Sequence, residues 1–164
     1  MIKAAIFDLD GTLVHLPINY EALFEEFSKI AKRENIRPLT KTIPTLDEET
    51  RKRIFEVWDD AELATLPKIT TNEEGLAFYE KFCKEPKALV TMQGKAFVNN
   101  VLERFSLSFN AISTREDSLD RVEQLKTAAQ KLDVQLHNVL FVGNEENDQL
   151  AAKEVGCQFL KVRK

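Results

Sequence analysis

The fold is decided near the start of the chain, where residues 2–12 read IKAAIFDLDGT. Nearly every position from 2 to 7 is apolar, as expected for a strand covered on both faces of a parallel sheet. Asp8 and Asp10 follow this strand, and Gly11 then allows the chain to turn sharply away. Because ligands of open α/β sheets bind beyond the carboxyl ends of the strands, this string marks a candidate binding site.

The two acids that follow the strand are suited to catalysis. Asp8 and Asp10 are two positions apart, so their side chains project toward the same side of an extended chain. Carboxylates this close repel each other unless a cation lies between them or one of them holds a proton. In either arrangement one group is available as a nucleophile while the other moves a proton. The alternative interpretation is a simple turn that ends the strand.

The rest of the chain alternates short apolar runs with amphipathic segments, a pattern typical of an α/β fold with a mainly parallel sheet. Further strands are predicted at residues 87–91, 110–113, 139–142 and 159–162. The segments between the later strands carry apolar residues three and four positions apart, which indicates helices. These helices are predicted at about residues 95–105, 118–132 and 147–155.

Residues 16–85 differ in character, because they contain no convincing strand. Residues 20–35 place their apolar side chains on one helix face. The strings TLDE at 45–48 and TNEE at 71–74 fit the capping-box pattern, so two more helices are predicted to begin there. A crossover between parallel strands needs far fewer residues than this segment contains.

The sequence therefore predicts two parts. A small all-helical cap, residues 16–85, is inserted after the first strand of an α/β core formed by residues 1–15 and 86–164. The two chain crossings, near residues 14–17 and 85–88, are expected to act as hinges of a lid.

Composition excludes several classes of protein. The 164 residues are 43% hydrophobic and 30% charged, which is enough apolar material for a core and excludes a disordered chain. The net charge of −4 gives no bulk positive field, so neither a nucleic acid polymer nor an anionic membrane is an expected partner. No stretch approaches the ~18 consecutive apolar residues of a membrane span.

The cysteines and the N-terminus indicate a cytoplasmic protein. Cys83 and Cys157 have no His or second Cys at metal-binding spacing, so neither a zinc site nor a disulfide framework is expected. Both fit better as small apolar side chains in a reducing compartment. The first residues are too short for a signal sequence and have the pattern of a strand.

The string DLDGT after an N-terminal strand resembles the first motif, DxDGT, of the haloacid dehalogenase-like (HAD) superfamily. The resemblance implies a Rossmann-like core. It also implies that Asp8 is a nucleophile that becomes phosphorylated, that Asp10 is the general acid/base, that Thr12 contacts substrate and that Mg²⁺ is the cofactor. Family members that act on carbon–halogen bonds lack an acid at the position of Asp10, so its presence points to phosphoryl transfer.

Thr91 is similar to the family's second motif, a Ser or Thr that hydrogen-bonds the phosphoryl oxygens. It ends the predicted strand at 87–91 and is followed by Met92, Gln93 and Gly94. A hydroxyl before a helix N-terminus suits an anion, because free N–H groups and the helix dipole face it. The resemblance therefore implies that Thr91 and Met92 bind substrate. The alternative is that Thr91 only caps the helix or ends the strand.

The family's third motif is a Lys or Arg near the start of the helix before the next strand, where a cation offsets phosphate charge. Arg121 lies 22 residues before Gly143, close to the family spacing, although the usual Lys-Pro dipeptide is absent. Arg115 and Lys126 are rival candidates. Each of the three is alternatively a solvated charge on a helix face.

Residues 143–148 read GNEEND and have the spacing of the family's fourth motif, GDxxxD. Asn144 replaces the first acid of that motif. An amide oxygen still coordinates Mg²⁺ but brings no charge, so weaker binding is expected. Glu145, one residue on, is a candidate to supply the missing carboxylate. The resemblance implies a metal site formed by Asp8, Asp10, Asn144, Glu145 and Asp148.

The predicted function is Mg²⁺-dependent hydrolysis of a small-molecule phosphate monoester through an aspartyl-phosphate. The predicted catalytic residues are Asp8, Asp10, Thr91 and Arg121. A phosphomutase remains an alternative, and so does a weakly active or non-catalytic binding protein, since Asn144 departs from the motif.

The cap is expected to select the substrate, a small phosphorylated metabolite. Trp58 and Tyr79 are candidates to line its pocket, although aromatic residues at helical spacing more often form a core. No motif in the cap identifies the metabolite, and no feature of the sequence indicates an oligomeric state.

Overall fold

The computed structural model describes residues 1–163. Its strands are β1 (Ala4–Phe7), β2 (Val14–His15), β3 (Thr70–Thr71), β4 (Lys87–Val90), β5 (Ala111–Ser113), β6 (Val139–Gly143) and β7 (Gln158–Lys161). Five of them form a parallel sheet in the order β5-β4-β1-β6-β7. The predicted α/β fold with a mainly parallel sheet is confirmed, and it is the Rossmann-like core that the resemblance implies.

Strand β1 lies at the centre of this sheet. Ile6 is in register with Ala88 of β4 on one side and with Phe141 of β6 on the other. All four residues of β1 are buried, because neighbouring strands cover both edges and helices cover both faces. The carboxyl end of β1, where Asp8 begins, is therefore held by the core of the molecule.

The helices are α1 (Tyr20–Ala31), α2 (Leu39–Thr42), α3 (Glu48–Leu63), α4 (Glu73–Lys81), α5 (Lys95–Arg104), α6 (Arg121–Lys131) and α7 (Glu146–Val155). Within residues 1–163 none of them combines the length and the apolar character that a bilayer crossing requires. Two helices, α3 and α4, are capped by residues other than those that the capping-box pattern predicts. The side chain of Asp47, rather than Thr45, caps α3 by accepting from the Thr50 N–H, and Asn72, rather than Thr71, caps α4.

Two apolar clusters cover the two faces of the sheet. One contains Phe7 and Leu89 from the strands together with Phe97 of α5. The other joins Ile6 to Leu125 of α6 and to α7. This two-sided cover explains why the core strands are continuous apolar runs rather than alternating ones.

The inserted segment has a core of its own. Leu23 and Phe27 of α1 pack with Ile54 and Trp58 of α3, and the rings of Phe27 and Trp58 are 5.3 Å apart. These helices, α1–α3, are called the cap below. The prediction that residues 16–85 contain no strand is wrong at β3, which pairs antiparallel with β2.

Helix α4 lies on the sheet rather than in the cap core. Tyr79 packs edge-on against Phe7 at 6.1 Å and donates its hydroxyl to the carbonyl of Ser108. The hinge predicted at residues 85–88 overlaps β4, whose Lys87 and Ala88 pair with β1. We therefore place the second chain crossing at β3.

Candidate active site

A cavity of about 570 Å³ opens where the carboxyl ends of the central strands face the cap. It is called the site cavity. The core contributes Asp8 and Asp10 after β1, Met92 after β4, Glu145 after β6 and Arg121 from α6. The cap contributes Tyr20, Phe24, Arg37 and Trp58. The predicted position of the site, at the strand ends beneath the cap, is where these side chains meet.

Asp8 is buried at the floor of the site cavity. Its Oδ1 accepts a hydrogen bond from Nη2 of Arg121 at 3.2 Å. Burial raises the pKa of Asp8 to about 8; Arg121 opposes the rise, whereas the nearby Asp148 and Asp10 add to it. Desolvation and the neighbouring like charges both disfavour the ionised form of Asp8. A further positive charge besides Arg121 would therefore stabilise the carboxylate.

Arg121, the first residue of α6, binds two acids. Besides Asp8, its Nε donates to Asp148 Oδ1 at 3.1 Å, and its Nη1 donates to Gln124 Oε1 at 2.6 Å. The helix starts here because the Asp120 side chain accepts from the Val122 N–H. A guanidinium held on three sides presents a fixed positive charge next to Asp8.

The rival candidates for the third motif lie elsewhere. Lys126 is exposed, 3.8 Å from Glu123 on the same helix. Arg115 is fully buried and binds Glu62 and Asp59 of the cap helix α3. Of the three basic residues, the structure brings Arg121 to Asp8.

Asp10 is held by two donors. The Leu16 N–H donates to its Oδ1 at 3.2 Å, and the Tyr20 hydroxyl donates to its Oδ2 at 2.8 Å. Burial raises the pKa of Tyr20 above its ordinary value, and the charge of Asp10 and their hydrogen bond add to the rise. Sequence reasoning missed Tyr20, because nothing local indicates that the first residue of a cap helix faces Asp10.

Thr91 is buried directly after β4, next to the carboxyl end of the strand. Its hydroxyl donates to the side-chain oxygen of Gln93 and accepts from the Gln93 N–H at 3.1 Å. Gln124 donates to the Thr91 carbonyl at 2.9 Å while accepting from Arg121. Gln124 therefore joins the second motif to the third, while Gln93 holds the Thr91 hydroxyl; the sequence analysis selected neither glutamine.

Asn144 occupies a tightly packed position. Its Oδ1 accepts from the Thr12 hydroxyl at 3.2 Å, and its Nδ2 would lie 2.3 Å from a Cβ at Gly11. Gly11 also has a φ of +80°, so both space and backbone conformation require glycine there. The predicted substrate contact Thr12 is fully buried and faces Asn144.

The last two predicted metal ligands differ in their surroundings. Asp148 is buried, and its Oδ2 accepts from the backbone N–H groups of Asn144 and Glu145 at 3.3 Å each. Its other oxygen faces Arg121, so this carboxylate caps α7 and orients the guanidinium. The Glu145 side chain is exposed at the wall of the site cavity.

The donor set at the end of β1 fits Mg²⁺. Within residues 1–163 no group of three or more acids, histidines or cysteines surrounds one metal position. Asp8 and Asp10 line the site cavity with their carboxyl groups, and the amide oxygen of the buried Asn144 accepts from the Thr12 hydroxyl. Mg²⁺ commonly binds one or two carboxylates and completes its shell with water and phosphate. The residues present therefore supply the type of oxygen ligand that this ion needs.

Comparison with known proteins gives a consistent result. A family model described as haloacid dehalogenase-like hydrolase matches residues 5–162. A phosphoglycolate phosphatase of Neisseria meningitidis is 27% identical, over 95% of this chain and 78% of its own length.

Solved structures share the fold. A hydrolase from Pseudomonas syringae has a TM-score of 0.71 at 22% identity, covering 96% of this chain and 82% of its own. A HAD family enzyme from Bacteroides thetaiotaomicron, in complex with magnesium and inorganic phosphate, has a TM-score of 0.63 at 17% identity, covering 99% and 95%.

Proposed function

Because this chain belongs to the haloacid dehalogenase-like hydrolases and is a phosphoric monoester hydrolase, we propose that it hydrolyses a small-molecule phosphate monoester through an aspartyl-phosphate on Asp8. The observation that carries the proposal is the contact of Asp8 with Arg121, beside a second carboxylate, Asp10, in one cavity. This arrangement of two carboxylates and a guanidinium in one cavity supports the roles of nucleophile, proton carrier and charge-offsetting cation.

In the first step, a carboxylate oxygen of Asp8 attacks phosphorus and the ester P–O bond breaks. The leaving alkoxide takes a proton from Asp10. In the second step, water attacks the phosphorus and gives a proton to Asp10, and the bond between phosphorus and Asp8 breaks. Inorganic phosphate leaves, and both carboxyl groups return to their starting state. Tyr20 and the Leu16 N–H hold Asp10 in one orientation throughout.

The phosphoryl group gathers negative charge, which the surrounding groups offset. Arg121 supplies a fixed positive charge, and the Thr91 hydroxyl is positioned to donate once it turns from Gln93. Asp8 and Asn144 would hold Mg²⁺, which supplies positive charge beside the nucleophile and the phosphoryl oxygens when bound, while Asp10 is left to carry the proton. Since Asn144 is neutral, we infer weaker metal binding than a third carboxylate would give.

The substrate is inferred to be a small phosphorylated metabolite. The Neisseria relative is a phosphoglycolate phosphatase, and the Bacteroides enzyme binds inorganic phosphate. The site cavity of about 570 Å³ matches the size of small-molecule sites in general.

Turnover of p-nitrophenyl phosphate with and without Mg²⁺ tests the proposal. We expect release of p-nitrophenolate with Mg²⁺, loss of activity with EDTA, and recovery when Mg²⁺ is added in excess. A panel of sugar phosphates, nucleotides and phospho-acids then identifies the preferred class. Absence of turnover on the whole panel, with folded protein and saturating Mg²⁺, would contradict the proposed function.

A further inference from the structure

One arginine of the cap lines the site cavity but has no role in the hydrolysis proposed above. Arg37, between α1 and α2, lines the same cavity as Asp8 and Asp10. Arg121, the other arginine of this cavity, is bound to Asp8 and Asp148. Within residues 1–163, by contrast, no carboxylate oxygen lies within 4.0 Å of the Arg37 guanidinium.

Arg37 is exposed, yet its position is constrained. Its guanidinium carbon lies 5.0 Å from the centroid of the Phe24 ring. Phe24 is in turn packed between Tyr20 and Phe27, at ring distances of 5.8 and 5.9 Å. At this distance the guanidinium and the ring make a cation–π contact, which does not use the N–H donors and leaves them available to a ligand. The contact with Phe24 therefore holds a guanidinium with available N–H donors at the wall of the cavity.

The wall of the site cavity is largely apolar between its two charged regions. Its apolar side chains are Phe24, Leu39, Trp58, Met92 and Leu119. Such a wall favours a substrate with a short carbon skeleton over a strongly hydrated substrate. A ligand with phosphate at Asp8 and an anionic group at Arg37 would match both charged regions.

We propose that Arg37 binds a carboxylate at the end of the substrate remote from the phosphate, so that the substrate class is the phosphorylated carboxylic acids; this inference rests on the proposed function. A guanidinium binds a carboxylate through two parallel hydrogen bonds. One unpaired cation matches one negative charge. A second phosphate would bring close to two charges into a cavity that already holds the acids Asp8, Asp10 and Glu145.

Matched substrates test this assignment. Phosphoglycolate and 2-hydroxyethyl phosphate share a two-carbon skeleton and differ in the carboxylate, and ethylene glycol bisphosphate carries a second phosphate instead. We expect wild-type kcat/KM to be highest for phosphoglycolate, by at least about tenfold over 2-hydroxyethyl phosphate, as for a charged bidentate hydrogen bond.

Substitution of Arg37 then tests whether this residue causes the preference for the carboxylate substrate. Arg37→Met should lower kcat/KM for phosphoglycolate at least about tenfold more than for 2-hydroxyethyl phosphate, mainly through KM. Arg37→Lys should recover part of the preference, because it keeps the charge but loses the fork. Arg53→Met is the matched control, since Arg53 is an exposed cap arginine outside the cavity lining; it should leave both substrates unaffected.

Equal kcat/KM for the two matched substrates, an equal loss for both in Arg37→Met, or a preference for the bisphosphate would each overturn the inference. Calorimetry with the Asp8→Asn variant keeps this test separate from the proposed function. Tighter binding of phosphoglycolate than of 2-hydroxyethyl phosphate, abolished in Asp8→Asn/Arg37→Met, supports the site even if no monoester is turned over. Equal binding of the two ligands rejects it.

Discussion

Asp8 is a buried carboxyl with one guanidinium and two further carboxyls around it, and its pKa is raised to about 8 mainly by burial. Attack on phosphorus needs the ionised form, so positive charge near Asp8 favours the proposed chemistry. Arg121 provides one such charge at 3.2 Å. The neutral Asn144 stands where another acid would help to recruit a cation. Asp8 and Asn144 are therefore the most informative single positions.

Asp8→Asn is expected to abolish turnover. The amide keeps the shape of the side chain but lacks the negative charge that attacks phosphorus, so activity should fall at least about 1,000-fold, to background. The measurement is steady-state hydrolysis of p-nitrophenyl phosphate at saturating Mg²⁺, with circular dichroism to verify folding. Retention of a tenth of wild-type turnover would rule out covalent catalysis by Asp8.

Asp10→Asn provides the comparison, because it should affect leaving groups unequally. p-Nitrophenolate leaves with little protonation, so slow phosphorylation of Asp8 should remain, whereas alkyl phosphates should react far more slowly. An equal loss on both kinds of ester would remove the acid/base assignment of Asp10.

Asn144→Asp is expected to tighten Mg²⁺ binding. One added negative charge a few ångströms from the ion stabilises it by roughly 1–4 kcal/mol before desolvation, so about a tenfold lower Mg²⁺ requirement is reasonable. The measurement is a Mg²⁺ titration of phosphatase activity. The packing of Asn144 against Gly11 limits how far the new carboxylate can move.

Glu145→Gln is the control for this titration. If the exposed Glu145 has replaced Asn144 as ligand, Glu145→Gln weakens Mg²⁺ binding strongly and Asn144→Asp has little effect. If neither substitution alters the Mg²⁺ requirement, the alignment of the fourth motif is wrong.

At the scale of elements, α4 packs directly on the turn that follows β1. A Cβ at Gly75 would lie 1.6 Å from the Thr12 carbonyl oxygen. Asn72, the N-cap of α4, donates its Nδ2 to the Gly11 carbonyl at 3.1 Å. Helix α4 therefore packs against the backbone of the DGT segment, residues 10–12, and holds it in place.

Gly75→Ala is expected to destabilise the protein, against the usual trend. In an open helix this change stabilises by up to ~1 kcal/mol, but overpacking against fixed backbone costs about 1–3 kcal/mol. Urea unfolding measures the net effect, and kcat/KM should fall because Thr12 is displaced.

Gly156→Ala is the matched control for Gly75→Ala. Gly156 has a φ of +82° with no atom within 4 Å of a Cβ, so it should cost ~1 kcal/mol of backbone strain and leave kcat/KM unaffected. Unchanged stability and activity in Gly75→Ala would show that α4 does not support the DGT turn.

At the scale of the whole molecule, cap and core are joined by a buried ion pair. Both terminal nitrogens of Arg115, which follows β5, donate to Glu62 of α3 at 2.9 Å. Glu62 also accepts from the Gly94 N–H at 3.0 Å, and Arg115 donates to the Met92 carbonyl at 3.0 Å. The pair therefore attaches the cap to the loop that carries Thr91.

Arg115→Met is expected to destabilise the protein by about 3–5 kcal/mol, because it leaves Glu62 buried and unpaired. Burial already raises the pKa of Glu62, and Arg115 is the main group opposing that rise. The double variant Arg115→Met/Glu62→Leu should recover most of the loss, since no buried charge remains. Denaturant unfolding gives both values.

Hydrogen exchange reports on the cap separately. Protection in α1 and α3 should fall in Arg115→Met while the central sheet stays protected. Equal stability of the single and double variants, or a loss of protection spread evenly over the chain, would contradict a role for the pair in anchoring the cap.

The sequence by itself determined the fold class and the order of the strands and helices in the core, but not β2, β3 and α2. Local patterns of the sequence are also present in the folded protein. Here they are the apolar run of β1, the acids that follow it and the spacing of residues 143–148. The same reasoning placed the starts of α3 and α4 one or two residues early, because Thr45 lies in a 3₁₀ turn and Thr71 in β3. The catalytic roles of Asp8 and Asp10 stay predictions.

Only the tertiary structure decided which distant side chains meet. Arg121 lies 113 positions from Asp8 and was one of three candidates until packing brought it there. Tyr20 reaches Asp10 because the cap folds back over the strand ends, and Arg115 is buried because Glu62 lies opposite it. Sequence periodicity reports which face of an element is apolar, whereas the partner of a polar group depends on how elements pack in three dimensions.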